Sequence, residues 1–209
     1  MTDNNDAGTN LFIGLVTNST GAISSANNSS WEFQGGITAG TTINLSGTGT
    51  KSFTTNNQNI TGAGAITFQN VTVASGITIT NSNTGTFTVS TTATIDGVFS
   101  ITGASGLKLF VGLPTISGTG SLTSSSNAPF EFRGGIANSG TLSLTGTGAK
   151  TFSTTASQAL TGSGDITLNA VTINASITLT NNNTGITTIN GAFALNGTLT
   201  DGNDSGSNV

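Results

Sequence analysis

The sequence predicts an all-β fold, a parallel β-helix (β-solenoid) built of tandem repeats of about 99 residues. Three observations predict it. Short runs alternate apolar residues with Thr, Ser or Asn, the sequence copies itself at a fixed interval, and helix-forming residues are nearly absent. Alternation is seen in Ile43-Asn44-Leu45, Val71-Thr72-Val73, Ile77-Thr78-Ile79 and Phe87-Thr88-Val89. A period of two sends the Ile, Val and Phe side chains to one face and the hydroxyls to the other, as a half-buried strand requires. No stretch keeps a period of 3.6.

The copying is extensive. Trp31-Glu32-Phe33-Gln34-Gly35-Gly36-Ile37 returns as Phe130-Glu131-Phe132-Arg133-Gly134-Gly135-Ile136. Leu45-Ser46-Gly47-Thr48-Gly49-Thr50-Lys51-Ser52-Phe53 returns as Leu144-Thr145-Gly146-Thr147-Gly148-Ala149-Lys150-Thr151-Phe152, and both pairs are offset by 99. Leu11-Phe12-Ile13-Gly14-Leu15 matches Leu109-Phe110-Val111-Gly112-Leu113 at an offset of 98. The segment from Thr2 to Asn10 reappears from Thr200 to Asn208, at 198. The chain therefore reads as one copy over residues 1–99, a second over 100–199 and the start of a further copy over 200–209, as in a piece of a longer tandem array.

Between the runs lie Gly-rich corners, with the sub-motif apolar-[Ser/Thr]-Gly-x-Gly at Leu45, Ile60, Ile116, Leu144 and Leu160. Gly supplies positive φ at tight corners, and the clusters Asn81-Ser82-Asn83 and Asn181-Asn182-Asn183 also tolerate left-handed turns. Coils of roughly 20–25 residues stacked ~4.8 Å apart give four or five coils per copy and a rod of about 40–50 Å. Slim core residues favour this reading. Tandem immunoglobulin-like domains are the alternative, and would want a larger aromatic anchor and more regular strands.

Composition removes many functions. The 209 residues hold 6% charged residues, a formal net charge of −4, and no Cys, His or Tyr. Imidazole bases, thiol nucleophiles, zinc sites of the usual kind and disulfides are excluded. Four basic residues leave no nucleic-acid footprint. No apolar run is long enough for a membrane helix, so no membrane insertion is expected. Residues 1–6 lack the form of a secretory signal, and an export signal would have to lie elsewhere in a longer protein.

The Leu-[Ser/Thr]-Gly-Thr-Gly stretches (Leu45 to Gly49, Leu144 to Gly148) and the Ile-Thr-[Ile/Leu]-Thr-Asn runs (Ile77 to Asn81, Ile177 to Asn181) resemble β-strand-repeat regions of bacterial surface proteins. These include filamentous-haemagglutinin-like and autotransporter-passenger-like β-solenoids and giant repetitive Bacteroidota adhesins. The likeness spans nearly the whole chain and rests on composition and periodicity. It implies a secreted or surface-displayed stalk or adhesive filament at the bacterial cell surface, without enzymatic activity. Its partners would be further copies of itself, end to end or bundled, with a cell surface or glycan as target.

No residue is expected to be catalytic, to hold a cofactor or to ligate a metal. Glu32 and Glu131, as equivalents, are expected on one side of the rod about 20 Å apart, too far for a glycosidase pair. The Asp/Asn/Gly segments 3–8 and 201–206 invite a calcium hypothesis, but the second Asp falls one place early and no Glu follows, so polar turns are favoured. The pairs Thr78/Thr80, Thr86/Thr88, Thr92/Thr94 and Thr178/Thr180 raise an ice-binding reading that their irregular recurrence weakens. Lys51 and Lys150 are read as solvated charges, with ion pairing between rods as the alternative. Leu11–Leu15 and Leu109–Leu113 are expected as fully buried strands, or as a seam between rods. Trp31 and Phe130 are expected to pack in a core or seam.

Overall fold

A computed structural model describes residues 8–154, 157–202 and 206–208. Twenty-seven strands run from β1 (Thr9–Phe12) to β27 (Ser207–Asn208), with no helix among the described residues. Every strand pairing is parallel, and each joins one coil to the next: Thr9 pairs with Ser30, Trp31 with Lys51 and Val71 with Ala93. The column has about nine turns of ~21 residues, which at ~4.8 Å per coil makes a rod of about 45 Å. The predicted β-solenoid is therefore the observed fold.

Each turn has three faces. Face 1 starts with β1, face 2 with β2 (Val16–Asn18) and face 3 with β3 (Ile23–Ser25). Face 2 is a separate ten-stranded sheet. Faces 1 and 3 join through β9 (Ile66–Val73) and β11 (Phe87–Ile95), which bend around a corner. Their first halves lie on face 3 and their second halves on face 1.

Most strands have three or four residues, so a typical strand sends two side chains inward and keeps one outside between them. The inward residues stack in rows. On face 3, Leu45, Phe68, Val89, Phe110, Phe132, Phe152, Ile173 and Leu195 follow one another in register. On face 1, Phe53, Val73, Ile95 and Ile116 do the same. Parallel registry places like above like, so neighbouring rings can stack face to face. Phe132 lies 5.7 Å from Phe110 and 5.5 Å from Phe152, and Phe33 lies 5.4 Å from Phe53. The core is thus heavier than expected, since nine of the eleven Phe are buried within it. Trp31 and Phe130 belong to this core.

The apolar runs depart from expectation. In Leu11–Leu15 only Phe12 packs against the core, while Leu11, Ile13 and Leu15 are exposed; Leu113 is also exposed. A strand three or four residues long, followed at once by a corner, cannot bury five consecutive side chains. Asn81-Ser82-Asn83 marks a corner, whereas Asn181–Asn183 form the end of a strand paired with Leu160–Gly162, and none of these residues has positive φ. Asn81, Asn83, Asn181 and Asn183 are instead buried. Asn81 and Asn181 accept the amide N–H of Asn83 and Asn183, and the Asn83 and Asn183 side chains donate to Gly64 and Gly164 carbonyls at 3.1 and 3.0 Å.

Candidate functional site: corners and outer faces of the column

The corner built from Leu-[Ser/Thr]-Gly-x-Gly-x-Lys is the most elaborate local device. Its glycines do not serve positive φ. A Cβ on Gly47 would meet the Asn27 carbonyl oxygen at 1.5 Å, and one on Gly146 the Ser126 oxygen at 1.6 Å. Only glycine lets one corner sit this close on the corner beneath it.

The lysine closing each corner turns inward. Lys51, Lys108 and Lys150, all the lysines of the chain, are buried. Lys51 donates to the Gly47 carbonyl and, at 2.6 Å, to Gly49. Lys150 donates to Gly146 and, at 2.6 Å, to Gly148. Lys108 reaches Asn83 and Gly85 at 2.9 and 3.1 Å. Its Nζ is thus anchored to the coil below. The lysine stems occupy core rows: Lys108 lies between Phe87 and Phe130, and Lys150 between Phe130 and Val171. The Lys150 ammonium also lies 6.0 Å from the Phe130 ring centroid. Burial pushes each ammonium down to about 8. The expectation of solvated charge is therefore overturned: these ammonium groups fasten carbonyls at the corners. The repeated Gly-x-Gly-x-Lys spacing carried the signal at Lys51 and Lys150, but charge alone suggested the surface, and Lys108, after Gly103-Ala104-Ser105-Gly106-Leu107, lacks that spacing.

Two buried glutamines do similar work. Gln58 and Gln158 accept the amide N–H of Gly36 and Gly135 at 3.0 and 3.2 Å. Their amides donate back, Gln58 to Thr55 and Gln158 to Ser153, each at 2.9 Å.

The carboxylates sit outside. Glu32 accepts from Gln34 at 2.8 Å and from Thr54 at 2.7 Å, which holds its carboxyl below the ordinary value. Burial alone would raise Glu131. Hydrogen bonds from Arg133 at 2.7 Å and from Ser153, with the guanidinium charge, lower it instead. Glu32 lies on face 1 and Glu131 on face 3, so the expectation that they share a side is corrected. No three acidic residues gather among the described residues. The calcium hypothesis concerned segments 3–8 and 201–206, which lie largely outside the described residues.

The Thr pairs are scattered around the column. Thr78/Thr80 lie on face 2, Thr88 on face 3, and Thr92/Thr94 and Thr178/Thr180 on face 1. On face 2 the row containing Thr78 runs on through Val98, Ser121, Thr141, Asp165 and Ile186, which breaks any two-row hydroxyl grid. A groove of about 300 Å³ is lined by Leu15, Gln34, Asn57, Asn59 and neighbours. Near the C-terminal coils a larger, apolar cavity of about 360 Å³ opens beside Phe152, Leu179, Ile189 and Phe193.

Comparison of the chain with family models, curated proteins and solved structures gives no match.

Proposed function

We propose that this chain is a structural segment of a long extracellular bacterial surface fibre or adhesive filament made of tandem β-solenoid repeats. The observation that carries the reading is the continuous stacking of coils. Parallel ladders on three faces and in-register core rows bind every coil to the next, so length grows by adding coils without changing the cross-section. Bending such a column would stretch ladders on one side and crowd side chains on the other. Its role is mechanical: to hold shape and set distance. Its partners are further copies of the same unit.

Electron microscopy of the intact parent protein tests this. Unbranched rods are expected, lengthening by roughly 22 Å for each ~99-residue copy. Antibodies against this segment should label unpermeabilised cells. Compact particles, or labelling only after lysis, would overturn the proposal.

A glycan-binding module is the second reading, favoured by the amide-lined groove beside Leu15. Saturable glycan binding that is lost in Asn59→Ala would support it.

A further inference from the structure

The sequence repeat and the structural turn are out of phase. One copy, counted from the strand Ser30–Phe33 to its equivalent Phe130–Phe132, contains fourteen strand segments when β9 and β11 are counted on both their faces. Three segments make a turn, so fourteen make four full turns and two further faces. Every residue of the second copy is therefore displaced by one face from its equivalent in the first.

The ladders confirm this at independent places. Trp31 and Glu32 are on face 1, Phe130 and Glu131 on face 3. Ile37 is on face 2, Ile136 on face 1. Lys51 is on face 1, Lys150 on face 3. The longer repeat completes the set. Asn10 is on face 1, the aligned segment from Lys108 on face 3, and Asn208 on face 2. One repeated motif thus visits all three faces within this chain.

We infer that the protein displays its repeated surface features helically around the column, so that repeat-equivalent groups engage separate partners around the axis and not one flat partner along a side. The single carboxylates Glu32 and Glu131, each with its hydrogen-bond donors, illustrate the consequence. A planar surface, or a second rod lying alongside, meets only one of the two. In an uninterrupted array it would meet a given feature once in every three copies, about 14 turns or ~67 Å apart at ~4.8 Å per turn. The displacement comes from the ladder registers alone and stands whether or not the fibre reading does. What it adds to that reading is that bundling cannot use a single stripe of repeated residues.

The chain has no Cys, so paired spin labels can be placed cleanly. Ser52, Ala137 and Thr161 lie on face 1, with Ala137 four coils and Thr161 five coils from Ser52. Thr151 is the repeat equivalent of Ser52 and lies on face 3. Pulsed dipolar distances are measured in three double-Cys variants, S52C/A137C, S52C/T161C and S52C/T151C. On one face the first two separations scale as ~19 and ~24 Å along the axis. If equivalents shared a face, S52C/T151C would span a whole number of coils, four or five, and would be no longer than S52C/T161C. The expected result is that S52C/T151C is the longest of the three. Any other order overturns the inference, while leaving the microscopy of fibres to decide the proposed function separately.

Discussion

Raising the pH from 7 to 10 should stabilise this protein, which is unusual and follows from the corner lysines. With no His, Cys or Tyr, the side chains that titrate in this window are Lys51, Lys108 and Lys150. Burial lowers each from 10.5 to about 8 in the folded state. Below about 8 both states hold the proton, and the folded state bears the full cost of a buried ammonium. Between about 8 and 10.5 the unfolded chain binds more protons than the native one, so stability rises with pH. Above 10.5 both states are neutral and the rise ends. A shift of that size corresponds to at most about 3 kcal/mol per lysine, or about 10 kcal/mol for three. The carbonyl acceptors at Gly47, Gly49, Gly146 and Gly148 favour the charged amine and oppose the shift, so a third of that ceiling, about 3 kcal/mol, is the working expectation. Urea unfolding at pH 7, 8.5 and 10 at fixed ionic strength measures it, because 3 kcal/mol moves the midpoint by roughly 1 M or more at ordinary urea sensitivity. Lys51→Met should remove about a third of the pH dependence. A midpoint that stays flat or falls from pH 7 to 10 would refute the reasoning.

Phe132→Ala removes the middle ring of a three-ring stack and should cost about 3–5 kcal/mol, read as a lower urea midpoint. Trp31 buries an indole N–H that has no acceptor among the described residues, and Phe occupies the equivalent position 130, so Trp31→Phe should change stability by no more than about 1 kcal/mol in calorimetry. Gly146→Ala would drive a Cβ into the Ser126 carbonyl, whereas a Cβ on Gly14 meets nothing within 4 Å and its φ is ordinary. The first should lower the melting temperature sharply or abolish folding, and the second should leave it unchanged within a degree or two.

Much of this was legible in the residues. Alternation at Ile43–Leu45 or Val71–Val73 marks a strand because opposite faces of a strand meet different solvents, and recurrence at a fixed interval marks stacking because each coil buries its core only against like neighbours. The buried lysines were not legible as such. A charged residue that ends a Gly-x-Gly corner looks the same in sequence whether it points to water or to carbonyls of its own turn. Nor could Leu11–Leu15 be read correctly, because exposure there depends on where the corner falls.

Sequence by itself determined that the chain is all-β, that it stacks upon itself and which side chains repeat. Only the tertiary structure decided where those repeats point. Face is set by the number of strands per turn, three, and that number comes from how the corners close around the core, a non-local property. Because fourteen is not a multiple of three, residues that are equivalent along the chain are not equivalent in space.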